Sequence, residues 1–218
     1  MPPGDLIIRQ LAVGPMENFA YVIGSRSSGE CCVVDPAWEP ERIVATMEEE
    51  GLRLAQIVLS HTHPDHTNGV EALLEATGGV PVRTHRQEAH RVAGIGDHLA
   101  PVAGGERIRM GEVELTLIHT PGHTPGSQCV LVEGNLLTGD TLFIGGCGRC
   151  DLPGGDPVAM HETLTGRLGS LPDGTRILPG HDYAERPVSN LGDERATNPY
   201  LGFADQASFV AYRMRPRR

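Results

Sequence analysis

Nowhere do the 218 residues approach the roughly 20 consecutive apolar positions that a membrane-spanning helix requires, so no membrane partner is expected. The N-terminus lacks a charged segment followed by an apolar one, so no secretory signal is expected either. Basic clusters are scarce. The formal charge is −10, and the single basic run, 213–218, reads as a solvated tail. Nucleic-acid binding depends on clustered Lys and Arg, which excludes that partner. Cysteines are few and odd in number, five, and the adjacent Cys31 and Cys32 lie in a strand-like run where they cannot readily bridge each other. A reduced, cytoplasmic protein is the expectation. Apolar residues make up only 39%, but 28 Gly and 17 Pro account for much of the shortfall and point to a loop-rich chain, not a disordered one. With no repeat, low-complexity segment or linker, one domain over 1–218 is expected. No heptad is present, and the oligomeric state is not legible.

What is there begins with an opening meander of strands, read over 6–13, 19–23 and 31–34. Pro40 starts a helix with Ile43, Val44 and Met47 inward and Glu48, Glu49 and Glu50 outward. A strand at 57–60 follows, then a second helix in which Asn68 and Glu71 are spaced as a capping box. Strands are read at 80–84, in a hairpin over 107–118 turning at Met110-Gly111, at 128–132, at 135–138 and at 176–178. Asp156 and Pro157 open a helix striped by Met160, Leu164, Leu168 and Leu171. Strand-rich stretches alternating with single helices fit two sheets with helices packed outside them.

The most informative run is His-Thr-His-Pro-Asp-His at 61–66, three imidazoles and a carboxylate directly after a strand. Open α/β sheets place ligands at strand C-terminal ends. His61 and His63, two apart in extended backbone, point the same way and can share one ion. Asp65 and His66 follow the bend at Pro64 and can serve a second. Three more donors share one context, an apolar strand and then a glycine-containing turn: His123 in Pro121-Gly122-His123, Asp140 in Thr138-Gly139-Asp140, and His181 in Pro179-Gly180-His181. Flanking glycines let backbone pass close to a crowded centre. Five of the ten histidines fall in these positions; His85, His90, His98, His119 and His161 lack the pattern and read as structural or solvated. Imidazole and carboxylate donors suit Zn²⁺, Fe or Mn. Asp35, after a strand running toward the same edge, reads either as a partner orienting a ligand histidine or as a turn residue before Pro36.

His-x-His-x-Asp-His followed by Gly-His, Gly-Asp and Gly-His resembles the ligand series of the metallo-β-lactamase-fold superfamily, over about residues 6–200. The resemblance implies an α/β fold, an αββα sandwich of two mixed sheets packed face to face, with a dinuclear site at one sheet edge. By that resemblance the first metal takes His61, His63 and His123, the second takes Asp65, His66 and His181, and Asp140 bridges both. Two ions about 3.5–4 Å apart bridge a water and lower its pKa to near 7, giving a hydroxide that attacks a carbonyl while Asp65 holds or shuttles the proton. Flavodiiron oxygen reductases of this fold carry Glu where His63 stands, which disfavours oxygen reduction.

The run Gly139-Asp140-Thr141-Leu142-Phe143-Ile144-Gly145-Gly146-Cys147-Gly148-Arg149 resembles the glyoxalase II branch, which implies hydrolysis of S-acylglutathione thioesters. That branch carries a C-terminal helical glutathione-binding domain and a Lys after Gly-Cys-Gly. Here no such separate domain is expected after His181, and Arg149 stands there instead. The run 146–151 with His181-Asp182-Tyr183 is also similar to persulfide dioxygenases, which implies a single Fe(II) on His61, His123 and Asp140. Arg149 is expected either to pair a substrate carboxylate or to fix its own loop through Asp151, and Tyr183 to donate its hydroxyl to substrate. Cys147 and Cys150 form a C-x-x-C without the strand-to-helix setting of a redox motif. The reading is a metal-dependent hydrolase of a small thioester or ester, with the dioxygenase as alternative. A lactonase or β-lactamase-like hydrolase and a non-enzymatic metal-binding module come after these.

Overall fold

In the computed structural model, which describes residues 4–215, two six-stranded sheets pack face to face. The first contains β1 (Leu6–Val13), β2 (Asn18–Ser25), β3 (Glu30–Val34), β4 (Arg53–Val58), β5 (Val82–His85) and β6 (Leu99–Val102), in that order. Its first three strands are antiparallel, and β3 to β6 run parallel. Parallel neighbours need crossovers. These are α1 (Pro40–Glu49), the pair α2 (Pro64–Thr67) and α3 (Val70–Thr77), and a 3₁₀ segment over Ala89–His98. The second sheet is formed by β7 (Arg107–Met110), β8 (Val113–His119), β9 (Gln128–Val132), β10 (Asn135–Gly139), β13 (Arg176–Pro179) and β14 (Ser189–Asn190). A two-stranded hairpin, β11 (Leu142–Phe143) with β12 (Gly146–Cys147), stands beside it. α4 (Pro157–Glu162), α5 (Leu191–Thr197) and α6 (Gln206–Arg213) complete the described elements.

Strand alternation builds the layers. In β2, fully buried throughout, Ala20 and Val22 face α1 and α3, while Phe19, Tyr21 and Ile23 face the other sheet. The same period sends Cys31 outward with Ile43 and Leu73, and Cys32 inward with Leu115 and Leu137. Adjacent in sequence, the two thiols lie on opposite faces; all five cysteines are buried. The outer layer of the second sheet joins Leu136 and Ile177 to Met160, Leu164 and Phe209. The arrangement is the expected αββα sandwich. Phe209 on α6 is fully buried against His161, Tyr200 and Phe203. Phe209→Ala is expected to cost about 3–5 kcal/mol of stability, read by denaturant unfolding; a loss below about 1 kcal/mol would mean α6 is not part of this core.

The structure corrects two sequence readings. Asn68 and Glu71 form no capping box: Pro64 opens a short helix after His63, and α3 starts afresh from Gly69. Gly69 lies there because a Cβ would come 2.4 Å from the Pro36 carbonyl oxygen. Arg213 is not part of a solvated tail; it is 5% exposed and its Nε donates to the Gly148 carbonyl at 2.8 Å. Residues 216–218 of that run lie outside the described residues. β6, α5 and α6, not read from the sequence, are short or polar segments whose order comes from packing. Among the described residues no helix is long and apolar enough to cross a membrane.

Candidate metal centre

Every donor singled out in the sequence converges at one end of the two packed sheets. β4 ends at Val58, and Leu59 and Ser60 carry the chain to His61. Asp65 and His66 lie on the turn of helix opened by Pro64. His123 follows β8, Asp140 follows β10, and His181 follows β13. Three sets of potential ligand atoms come within 4.8 Å of one another: His61, His63 and His123; Asp65, His66 and His181; and His61, His66 and Asp140.

Hydrogen bonds fix which ring nitrogens face the centre. Nδ1 of His123 donates to the Arg149 carbonyl at 2.7 Å, and Nδ1 of His181 to the Met16 carbonyl at 2.8 Å. Nδ1 of His66 donates to Asp35 Oδ2 at 2.9 Å. Ser60 Oγ gives its one proton to Asp35 Oδ2 at 2.6 Å, so it accepts from His61 Nδ1 at 3.1 Å. In the neutral rings, all four Nε2 atoms therefore carry lone pairs. Those nitrogens lie at short range from one another or from the His63 ring. His66 Nε2 lies 3.2 Å from His181 Nε2, and His63 Nδ1 lies 3.0 Å from Nε2 of both His61 and His123. Buried Asp140 Oδ1 accepts no hydrogen bond, though Nε2 of His66 and His181 are 3.3 and 3.4 Å away. Lone pairs and an orphaned carboxylate oxygen at these distances are relieved by positive charge between them, carried by a proton or by a metal ion. The donors fit divalent metal ions of the kind imidazole and carboxylate bind.

The charge balance points the same way. Burial favours neutral His66, yet the Asp140 and Asp35 carboxylates outweigh it and raise its pKa well above the ordinary value. Burial likewise opposes charge on His181, and the Asp140 carboxylate prevails and raises its pKa. His61 is held well below the ordinary value by burial and by His66, and His63 is lowered by burial and by His123. Burial penalises ionised Asp140, but the histidines around it, His66 first, keep it well below the usual carboxylate range. A metal taking this site would displace a proton from the His66–His181 pair, whose Asp140 and Asp35 neighbours favour the charged form. Metal affinity is expected to climb as pH rises through and above the ordinary histidine range, with proton release on binding. Titration of metal into stripped protein at several pH values reads this, and pH-independent affinity across that window contradicts it.

Asp35 sits at φ +49, a left-handed conformation that short polar side chains tolerate. Its Oδ1 accepts from the Ser60 backbone N–H at 2.6 Å while Oδ2 takes Ser60 Oγ and His66, so one carboxylate orients His66 directly and His61 through Ser60. Sequence reasoning missed the rest of this shell. Asn18, fully buried, donates from Nδ2 to Asp65 Oδ2 at 3.1 Å. Ser60 precedes the cluster and was open to notice by position; Asn18 carries no such signal.

Outside the donors a cavity of about 520 Å³ opens, lined by His63, Asp65, Asp140, Phe143, Tyr183 and Tyr200 among others. Arg149 lines it too, but its guanidinium forms a two-pronged pair with Asp151, at 3.0 and 2.9 Å. Tyr183 stacks on the His181 ring, centroids 4.6 Å apart, with its edge toward Phe143. Cys147 and Cys150 are buried, and burial pushes the Cys150 thiol up to about 11, which leaves it un-ionised at neutral pH.

Residues 13–181 match the metallo-beta-lactamase superfamily, and the chain belongs to that superfamily of enzymes. It is 38% identical over 192 residues to a hydroxyacylglutathione hydrolase of Nitrosococcus oceani, covering 86% of this chain and 70% of that one. To a probable polyketide biosynthesis zinc-dependent hydrolase of Bacillus velezensis it is 31% identical over 204 residues, 91% of this chain and 88% of that one. Its fold superposes on the crystal structure of ETHE1 from Myxococcus xanthus with a TM-score of 0.87 and 30% identity, covering 97% of this chain and 92% of that one.

Proposed function

We propose that the protein is a glyoxalase II-like thioester hydrolase that works with two divalent metal ions, zinc first among the candidates. His61, His63 and His123 would hold one ion and Asp65, His66 and His181 the other, with the Asp140 carboxylate beside both sets. The observation that carries this reading is the pair of donor sets, each with its ligand atoms within 4.8 Å of one another, around one shared carboxylate. Similarity to a hydroxyacylglutathione hydrolase and to a zinc-dependent hydrolase supports the reaction class.

Bound in these sets, the ions supply a water acidic enough to ionise near neutral pH and a Lewis acid for the substrate carbonyl. The chain's own groups do the remainder. Asp65, its Oδ2 held by Asn18, takes the proton of the attacking water and returns it to the departing thiolate, so that thioester and water become acid and thiol. Tyr183, on the His181 face, offers its hydroxyl to the bound substrate, and Phe143 and Tyr200 shield the acyl group from water. Arg149 pairs a carboxylate of a glutathione-type substrate by exchanging it for Asp151, a swap that costs little because the Arg149–Asp151 pair is about half exposed.

The test is thiol release from a hydroxyacylglutathione under nitrogen. Hydrolysis without O₂ supports the reading; O₂ uptake with glutathione persulfide, and no thioester cleavage, overturns it. That outcome defines the second reading, a dioxygenase with one Fe(II) on His61, His123 and Asp140. It is favoured by the run 146–151, which places Asp151 on Arg149, and by His181-Asp182-Tyr183.

A further inference from the structure

We infer that two separate clasps position the two donor sets: Glu88 for His61, His63 and His123, and the Asn18–Trp38 pair for Asp65 and His181. The inference rests on the two-ion reading above and concerns residues outside the ligand atoms themselves.

Glu88 follows β5 and is 1% exposed, yet no cation pairs with it among the described residues. Its carboxylate spans two loops instead. Oε2 accepts from the backbone N–H and the hydroxyl of Thr62, at 3.1 and 3.0 Å. Thr62 lies between His61 and His63. Oε1 accepts from the Gly126 N–H at 3.2 Å, in the turn that carries His123. A Cβ at Gly126 would come 2.6 Å from Glu88 Cγ, so this turn can close on Glu88 only with glycine there. One buried carboxylate thus ties together the two loops that supply the first donor set.

The second clasp lies on the turn between β1 and β2. Trp38 Nε1 donates to Asn18 Oδ1 at 3.2 Å, which fixes the amide so that Nδ2 points to Asp65 Oδ2. The same turn reaches the opposite sheet. Its Met16 carbonyl takes His181 Nδ1, Phe19 N–H donates to the Gly180 carbonyl at 2.8 Å, and Asp182 N–H to the Glu17 carbonyl at 2.7 Å. Gly14, at φ +69, seats the turn on the indole, where a Cβ would lie 2.1 Å from Trp38 Cδ1. Neither clasp hydrogen-bonds to the set that the other holds.

Two near-isosteric variants separate the clasps. Glu88→Gln keeps the shape, but its NH₂ must face an N–H donor whichever way the amide turns. Trp38→Phe keeps a ring on Gly14 and removes the N–H, which frees the Asn18 amide to present oxygen to Asp65. The experiment is stepwise zinc titration of metal-free protein, with anomalous diffraction of zinc-loaded crystals reading occupancy at each set. Outer-shell partners of metal ligands are worth about 10–100-fold in affinity. E88Q is expected to weaken zinc at His61, His63 and His123 by that factor and to leave the other set within about threefold, and W38F to do the converse. A general loosening of the fold would lower both sets together, so equal losses in either variant overturn the inference, as does no loss in both. Should E88Q fail to fold, Thr62→Val removes one of the three donors and is expected to weaken the same set selectively. If the wild type holds a single ion, the two-ion reading falls by itself. The clasp assignment is then decided by whether the variant of the occupied set alone loses that ion.

Discussion

Asp140→Asn is expected to lower thioester hydrolysis by about 10³-fold or more and to reduce metal retention, with the fold intact. Among the described residues Asp140 is the one carboxylate in reach of both donor sets: its Oδ1 lies 3.3 Å from His66 Nε2 and 3.4 Å from His181 Nε2, and its Oδ2 lies 3.5 Å from His123 Nε2. The amide has the same size and shape, so packing at this position is kept. What changes is the charge, and an NH₂ is turned toward imidazole nitrogens or an incoming cation. Metal-ion stabilisation of a developing oxyanion is worth several kcal/mol, and each ~1.4 kcal/mol is tenfold in rate. Steady-state rates and elemental analysis of the same preparation read both effects. Near-wild-type rates with full metal content would remove Asp140 from the centre.

Gly148→Ala is expected to cost about 1–3 kcal/mol of stability, a typical overpacking penalty, and to weaken metal binding at least about tenfold. A Cβ here would lie 1.8 Å from the Asp140 carbonyl oxygen and 3.0 Å from His123 Cβ. The first of these is backbone and cannot swing aside, so the loop or the Asp140 turn must move. Both hold the centre: the next carbonyl, Arg149, fixes the tautomer of His123, and the Gly148 carbonyl is anchored by Arg213. Gly166, with nothing within 4 Å of an added Cβ, is the control, and Gly166→Ala is expected to leave metal affinity unchanged. Denaturant unfolding and metal titration check the pair. A Gly148→Ala protein with wild-type metal affinity would show that this loop does not set the position of Asp140 or His123.

The candidate metal centre was largely legible in the sequence because its donors sit at the ends of strands that the alternation marks out, three of them directly after a glycine. His61 and His63 announce each other by spacing; His123, Asp140 and His181 repeat one local context. The groups that orient them were not legible. Asn18 and Glu88 are single polar residues, and their partners, Asp65, Thr62 and Gly126, lie 26–47 positions away, brought to them by the packing of two sheets. Asp35 stood midway, since the sequence placed it at the right edge without saying which side chain it would meet. The capping-box reading failed because Gly69 must pass close to Pro36, a tertiary demand that overrides local helix signals. Arg213 was read as tail for the same reason: it lies in a charged terminal stretch, but Phe209 anchors its helix and carries it inward.

The most direct test follows the rate of hydroxyacylglutathione hydrolysis, under nitrogen, as zinc is titrated into stripped protein. The expected result is a rate that reaches its maximum at two equivalents per chain. A protein that stays inactive toward the thioester with two equivalents of zinc, yet consumes O₂ with glutathione persulfide at one equivalent of iron, contradicts it.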